Sequence, residues 1–237
     1  MDAETVAADG QNVLTEVTAK QLLAAQGIPV VLTHLATSRA EAMRLAKAVG
    51  FPVALKIVSP DILHKSDVGG VRLHLATATQ VGRAYGEILA SARAHAPQAV
   101  IQGVSVQAMA RPGVEVVVGL TRDRTFGPVV MFGLGGIFVE LLSDVAFRVV
   151  PLQPRDARAM IREIRGFPIL QGYRGTAPVH LGVLEEMLLK LSHVAEQCPD
   201  IREIDLNPVY AYPDGALAVD ARILLRGSEA SIHPPQM

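Results

Sequence analysis

A lysine inside an apolar segment is the first residue whose type suggests chemistry. Lys56 stands in VALKIV, residues 53–58, and residues 52–58 have the composition of a strand. A buried ammonium group needs a partner, and an anionic ligand could supply one. The alternative is a lysine on the solvent side or at the end of an edge strand. The sequence leaves both interpretations open.

The segment after this strand has the composition of a phosphate-binding loop. Residues 64–70 read HKSDVGG and combine an imidazole, a cation, a hydroxyl and two glycines. Backbone N–H groups of such a loop can wrap phosphate oxygens. We therefore expect Lys65, Ser66, Gly69 and Gly70 to contact phosphate, whereas a lone loop histidine such as His64 is usually only solvated.

Familiar catalytic signatures are missing from the chain. There is no G-x-x-x-x-G-K-S/T, and GLGGIF at residues 133–138 has Phe138 where a dinucleotide fingerprint needs its third glycine. There is also no HExxH, no cysteine cluster and no G-x-S-x-G. These absences disfavour P-loop enzymes, Rossmann dehydrogenases, zinc enzymes and serine hydrolases.

Acidic and amide side chains occur on two strands near the end of the chain. Residues 203–208 and 217–222 read EIDLNP and LAVDAR, with a turn at residues 212–215 between them. If Pro213 and Asp214 form the centre of that turn, Asn207 faces Asp220, and Asp205 faces Arg222. Hard oxygen donors suit magnesium bound to a nucleotide. A polar-faced surface hairpin is the competing interpretation.

Two further features have a functional and a structural interpretation. Glu115 begins an apolar strand, where it could hold ribose hydroxyls or simply face water. The glycines of residues 133–140, a segment that ends in Glu140, permit close approach of a ligand or partner. They could equally form tight packing turns.

Helical and strand patterns alternate along the chain. Helices are predicted at 19–24, 39–49, 77–94, 154–164 and 181–197, and strands at 28–32, 52–58, 71–75, 100–107, 114–120, 129–132, 201–206 and 217–223. This alternation predicts an α/β or α+β fold with lobes at 14–110 and 111–226, divided near the Arg-Pro-Gly of residues 111–113. Residues 1–13 and 227–237 are expected to be loose tails.

Composition narrows the class of protein. The 237 residues are 50% hydrophobic and 19% charged, with a net charge of -1, which provides no global attraction for nucleic acid or an anionic membrane. The longest uncharged apolar run, residues 125–139, is too short and too rich in glycine to span a bilayer. Cys198 is the only cysteine, and no signal segment opens the chain. We expect a soluble cytoplasmic protein.

Together these motifs resemble a known family. The ordered set consists of Lys56, residues 64–71, FGPVVMFGLGG at 126–136, EIDLNP at 203–208 and VDAR at 219–222. In this order and over residues 14–226, the set is similar to the ATP-grasp subunit of nucleoside-diphosphate-forming acyl-CoA synthetases, such as ADP-forming acetyl-CoA synthetase. It is more distantly similar to the β subunit of succinyl-CoA synthetase.

The resemblance implies an ATP-grasp fold, in which two α+β lobes hold the nucleotide between them. It implies ATP/ADP and Mg²⁺ as cofactors, with Lys56 contacting nucleotide phosphates and residues 106–109, including Gln107 and Met109, forming an adenine hinge. Glu115 stands at the position of ribose-binding acids, and Asn207 and Asp220 resemble the metal-binding pair. His64 matches the histidine that receives phosphate from a phosphohistidine of the partner subunit and passes it to ADP.

The resemblance also implies a partner. Complete enzymes of this family carry a CoA-binding Rossmann domain and a ligase domain that are not visible here, so we expect an α-type subunit to supply them. The implied reaction couples acyl-CoA, ADP and phosphate to carboxylate, CoA and ATP. A succinate- or malate-type CoA ligase and a non-catalytic nucleotide-binding regulatory module remain alternatives.

Overall fold

The computed structural model describes residues 13–62, 64–136 and 143–226. The chain divides into two compact units. The N-terminal unit comprises Thr15–Lys20 and Val31–Arg111, and the C-terminal unit comprises residues 13–14, Gln21–Val30 and the chain from Pro112 onward. Gln21–Val30, which were expected in the first lobe, therefore group with the C-terminal unit. Residues 1–12 and 227–237, predicted to be tails, lie outside the described residues.

Six helices are found in the described parts of the chain. They are α1 (Glu16–Ala25), α2 (Arg39–Val49), α3 (Ala78–His95), α4 (Pro154–Glu163), α5 (Phe167–Leu170) and α6 (Leu181–Gln197). Their starts follow local capping chemistry: Ser38 accepts a hydrogen bond from the Glu41 N–H, and Thr77 accepts one from the Gln80 N–H. In the described residues, no helix has both the length and the apolar composition to cross a membrane.

Eleven strands form two sheets in the same described ranges. They are β1 (Val13–Leu14), β2 (Thr33–Ala36), β3 (Val53–Val58), β4 (Val71–Leu75), β5 (Gly103–Ala108), β6 (Val114–Asp123), β7 (Gly127–Leu134), β8 (Val145–Val149), β9 (Ile201–Tyr212), β10 (Gly215–Ala218) and β11 (Arg222–Leu225). The mixed α/β class predicted from the sequence is confirmed.

The N-terminal unit has a four-stranded antiparallel sheet with strand order β2-β5-β3-β4. Helices α2 and α3 pack against each other and against this sheet. The aliphatic core between them includes Ala46, Leu55, Val81, Ile88 and Val106. Strand β3 lies between β5 and β4, so each of its residues is buried.

The C-terminal unit has a seven-stranded sheet with strand order β1-β11-β9-β6-β7-β8, in which β10 also pairs with β9. Helices α4 and α6 pack together and contact β7. The predicted hairpin register is confirmed, because Gly215 pairs with Tyr212 and Arg222 pairs with Asp205. The turn residues therefore determine which polar side chains of β9 and β11 are directly opposed.

The strand predicted at residues 28–32 is wrong. Pro29 has no N–H to donate, Leu32 is 71% exposed, and Val30 makes only an isolated bridge to Ala218. The paired strand begins at Thr33 instead. Strand β8 and helix α5 were not predicted, although the alternating residues of β8 have a strand pattern.

Gly70 meets a steric requirement at the start of β4. A Cβ atom there would lie 2.5 Å from Ile57 Cγ2 and 2.8 Å from the Lys65 carbonyl oxygen.

We expect Gly70→Ala to lower the free energy of unfolding by about 1–3 kcal/mol through overpacking. Gly86→Ala is the matched control, because that helical glycine has open space around it, and alanine should stabilise the helix by about 0.5–1 kcal/mol. Chemical denaturation of both variants measures these changes; equal effects would contradict the steric explanation.

Candidate functional site

A buried carboxylate surrounded by lysines forms the centre of the candidate site in the N-terminal unit. Glu16 Oε1 accepts hydrogen bonds from Lys20 Nζ and Lys56 Nζ, each at 2.7 Å, and Glu16 Oε2 accepts one from Lys65 Nζ at 2.8 Å. The Glu16 side chain is 1% exposed, whereas that of Lys65 is 20% exposed. One carboxylate thus holds lysines from a helix, a strand and a loop. We call Glu16, Lys20, Lys56 and Lys65 the lysine cluster.

Neutral side chains fix the inner end of the lysine cluster. Lys20 Nζ also donates to Gln107 Oε1 at 2.7 Å and to Thr33 Oγ1 at 3.1 Å. Thr33 Oγ1 lies 2.9 Å from the Val31 carbonyl oxygen and 3.1 Å from Gln107 Oε1, and both can accept its proton. Lys20 is therefore held by α1, β2 and β5, which orients Glu16 on the same helix.

The lysine cluster holds Glu16 in its charged form. Burial by itself would raise the pKa of Glu16, but the ammonium groups of Lys56, Lys20 and Lys65 outweigh burial and hold that pKa well below its usual range. Lysine ammonium groups gathered at one place are also groups that bind phosphate oxygens.

The structure resolves the two interpretations of Lys56. Its strand lies inside the sheet and the residue is only 6% exposed, so the solvent-facing edge-strand interpretation is wrong. Glu16, an acid of the protein itself, is one partner of the buried ammonium group. Sequence reasoning missed Glu16 and Lys20, because acids and lysines four residues apart on a helix usually face solvent.

The backbone of the loop between β3 and β4 is largely satisfied within the protein. The Gly70 N–H donates to the Lys65 carbonyl at 2.7 Å, the Gly69 N–H to the Ser66 carbonyl at 3.0 Å, and the Asp67 N–H to the His64 carbonyl at 3.2 Å. These N–H groups are not directed at a ligand in this conformation, contrary to the predicted phosphate cradle. The loop forms turns that need Gly69, whose φ is +62°, and Gly70, which packs on Ile57.

The side chains at the outer part of this loop face solvent. His64 and Ser66 are exposed, and Lys65 between them turns inward to Glu16. The far end of the loop is held by Ser91 Oγ, which donates to the Val68 carbonyl at 2.8 Å. Lys65 is thus the link between the exposed imidazole of the preceding residue and the buried carboxylate.

The predicted adenine hinge has a structural role that the sequence did not indicate. The Gln107 side chain is 1% exposed and belongs to the surroundings of Lys20. The Met109 N–H donates to the Pro52 carbonyl at 3.0 Å, so this amide is already used by the chain. Gln107 acts on the lysine cluster through hydrogen bonds in this structure.

Oxygen donors face each other on the hairpin of the C-terminal unit. Asn207 lies in β9, between the residues that pair with β10 and those that pair with β11. Asp220 lies between β10 and β11, and the neighbouring Val219 N–H donates to the Pro208 carbonyl at 2.9 Å. The predicted opposition of Asn207 and Asp220 follows from this register. Within the described ranges, no group of three or more His, Cys, Asp or Glu could hold a metal ion. An amide and a carboxylate oxygen fit Mg²⁺ only when other oxygen ligands complete its coordination.

A second acid on this hairpin has an unusual environment. The pKa of Asp205 is raised to about 6, chiefly by burial; the Arg222 guanidinium opposes this rise, and the carboxylates of Glu203 and Asp220 contribute to it. Arg222 pairs instead with Glu203, its Nη2 lying 2.6 Å from Oε1. Asp205 therefore retains its proton closer to neutrality than an ordinary aspartic acid.

Glu115 lies beside a tyrosine and two glycines. Glu115 pairs across the sheet with Tyr210. The pKa of Tyr210 is raised, chiefly by burial and then by the charge of the Glu115 carboxylate and its hydrogen bond with the tyrosine. A Cβ at Gly135 would lie 3.1 Å from Glu115 Cβ, and one at Gly136 would lie 2.9 Å from Glu115 Oε2. Gly135 and Gly136 therefore pack closely on Glu115, while approach of a ligand or partner to these glycines stays a prediction. Glu140 lies outside the described residues.

Glu16→Gln should destabilise the chain strongly. Removing one partner of a buried ion pair leaves uncompensated charge, and we expect a loss of about 3–5 kcal/mol in the free energy of unfolding at pH 7. Because the folded pKa of Glu16 is depressed, its contribution is present above about pH 4.5 and disappears as the pH falls. Urea unfolding at pH 7 and pH 4 measures this difference. Exposed Glu196→Gln on α6 is the control and should change stability by less than about 0.5 kcal/mol; a comparable loss there would contradict the assignment.

Asp205→Asn should change the pH dependence of stability. The folded chain holds a proton that the unfolded chain releases, so this group's contribution to stability falls as the pH rises from about 4 to about 6. We expect the variant to lack that decline, a difference of at most about 3 kcal/mol. Urea unfolding in EDTA at several pH values measures it. Asp214→Asn in the hairpin turn should leave the wild-type profile unchanged, and identical profiles for all three proteins would refute the shift.

Comparison with known proteins identifies the family. The profile of the ATP-grasp domain family matches residues 5–225. The β subunit of ADP-forming acetate–CoA ligase I from Pyrococcus furiosus is 47% identical over 212 residues, which cover 90% of this chain and 91% of that protein. Both chains thus correspond over nearly their whole lengths.

Solved structures agree with this assignment. Acetyl-coenzyme A synthetase 1 of Ca. Korarchaeum cryptofilum, in complex with coenzyme A and Ca-AMPCP, has a TM-score of 0.92 and 47% identity, covering 94% of this chain and 97% of that chain. Another structure of that synthetase contains coenzyme A and Mg-AMPPCP, with a phosphohistidine segment pointing towards the nucleotide binding site; its TM-score is 0.83 at 44% identity, with the same coverage of both chains. This chain therefore belongs to the ATP-grasp domain family, as its motifs predicted.

Proposed function

We propose that this chain is the ATP-grasp subunit of an ADP-forming acyl-CoA synthetase. Together with a partner it converts acyl-CoA, ADP and phosphate into carboxylate, CoA and ATP, in either direction. The observation that carries the proposal is the lysine cluster, which gathers three ammonium groups at one carboxylate beside an exposed histidine. The extent of the match to the Pyrococcus β subunit supports the same reaction class.

Lys56 and Lys65 bind phosphate oxygens in this proposal. Charge on a phosphoryl group in transfer is spread over its oxygens, so fixed ammonium groups stabilise it without forming a covalent bond. Lys56 lies on a central strand, which fixes its position, and Lys65 brings a second charge next to His64. Lys20 is deeper, only 2% exposed, and we assign it to holding Glu16 and Gln107.

His64 is the phosphoryl carrier of the proposed cycle. A nitrogen of its neutral imidazole attacks the phosphorus of a phosphohistidine on the partner, so that one N–P bond forms as the other breaks. A terminal oxygen of ADP then attacks the same phosphorus, and the bond to His64 breaks to release ATP. Exposure of the His64 side chain supports this role, because the donor and the acceptor must both reach it.

The C-terminal unit contributes oxygen ligands. Asn207 and Asp220 would hold Mg²⁺ together with nucleotide oxygens, and the ion would neutralise phosphate charge. Their opposition across the hairpin supports this assignment. Exposed Glu115 would bind ribose hydroxyls, and the contacts proposed for Ser66 and Met109 with the nucleotide stay predictions.

A partner must supply the thioester chemistry. We propose that an α-type subunit carries CoA-binding and ligase domains. The Pyrococcus relative is itself a β subunit, which supports a partnered enzyme. The acyl group would be selected on that partner.

Replacing His64 tests the proposed reaction. We expect His64→Ala to lower CoA-dependent ATP formation from acetyl-CoA, ADP and phosphate at least about 1,000-fold, because the carrier nitrogen is lost. The same variant should form no acid-labile phosphoprotein on this chain. Both assays use the chain reconstituted with its CoA-binding partner.

His193→Ala supplies the matched control for this experiment. His193 is an exposed histidine on α6, and its replacement should leave turnover within about twofold of wild type. Full activity of His64→Ala would refute the histidine carrier. Absence of both turnover and phosphorylation in the reconstituted wild type would refute the proposed function as a whole.

A further inference from the structure

We propose that Glu16 is a positioning residue for phosphoryl transfer: its carboxylate joins Lys56 on β3 to Lys65 on the β3–β4 loop and thereby sets the position of His64. The inference rests on the proposed function of this site. It assigns a role to an acid that neither touches the reacting groups nor belongs to a recognised motif.

The geometry of the two carboxylate oxygens carries this inference. Oε1 lies 2.7 Å from Lys56 Nζ, and Oε2 lies 2.8 Å from Lys65 Nζ. Lys56 is fixed because β3 pairs on both sides, with β5 and with β4. Lys65 is adjacent to His64, and consecutive Cα atoms are about 3.8 Å apart. Holding Lys65 to Glu16 therefore restricts where the imidazole can lie.

Glu16 is itself held in place from the opposite side. Lys20, one helical turn along α1, shares Oε1 and is bound to Thr33 of β2 and Gln107 of β5. With a side chain 1% exposed, Glu16 has no solvent-facing position to adopt without leaving these partners. The carboxylate is thus a fixed point between the sheet and the loop.

The charge of Glu16 matters as well as its shape. The charged groups that face it are Lys20 from α1, Lys56 from β3 and Lys65 from the loop, while β2 and β5 present the neutral Thr33 and Gln107. Without the carboxylate these ammonium groups lose a shared counter-charge and repel one another. Glu16 therefore keeps the phosphate-binding groups close together.

Hydrogen exchange of the full chain without ligand tests the positioning role. In Glu16→Gln, we expect the amides of residues 64–70 to exchange at least about tenfold faster, because local opening costs less free energy. Thr33→Val is the matched control, since it perturbs the same buried cluster without removing a charge. It should lower the melting temperature but leave exchange of residues 64–70 within about twofold of wild type.

A second measurement separates positioning from binding. Calorimetric titration gives the affinity for Mg-ADP. With the partner present, phosphorylation of His64 at saturating ADP should fall more than Mg-ADP affinity does in Glu16→Gln. Adding Lys20→Met to Glu16→Gln should restore part of the lost loop protection, because one repelling ammonium is gone.

These outcomes separate the inference from the proposed function. If wild type neither binds Mg-ADP nor phosphorylates His64, the proposed function fails and the inference fails with it. If wild type is active and folded Glu16→Gln keeps wild-type loop exchange and His64 phosphorylation, the inference alone is overturned. Should Glu16→Gln fail to fold, Glu16→Asp replaces it, with faster loop exchange expected because its side chain is one methylene shorter; unchanged exchange would overturn the inference.

Discussion

Burying one carboxylate among three ammonium groups is the constraint on which the N-terminal unit depends. Charges removed from water are costly unless they are paired and hydrogen-bonded. Glu16 meets that requirement for Lys20, Lys56 and Lys65, and it draws a helix, a central strand and a loop together. Ammonium groups of this kind bind phosphate oxygens, so the same interaction serves stability and the proposed recognition.

The C-terminal unit serves the proposed chemistry in a different way. Its hairpin register brings Asn207 opposite Asp220 and Asp205 opposite Arg222, so the oxygen donors are arranged by backbone pairing. Packing around Glu115 depends on Gly135 and Gly136, whose missing side chains make room for the acid. The cations and the oxygen ligands thus come from separate compact units, each built around its own sheet.

Local sequence patterns predicted most of the elements and part of the candidate site. Ser38 and Thr77 mark helix starts, and the turn at Pro213 and Asp214 correctly gave the hairpin register, because capping and turn chemistry act over a few residues. The prediction of a strand at 28–32 was wrong, because this apolar run contains proline and makes only an isolated bridge. The glycines of the β3–β4 loop were correctly identified as unusual, yet their N–H groups bond within the loop instead of pointing outward.

The family, the fold class and the residue types available for phosphate chemistry could be predicted from the sequence, because ordered motifs and hydrophobic periodicity are properties of the chain alone. That Glu16 is a partner of Lys56 follows only from the folded structure, since 40 residues separate them and a helical Glu-x-x-x-Lys pair usually faces solvent. Burial and long-range pairing arise when distant segments pack together. For that reason the acid that organises the lysine cluster could not be found from local pattern.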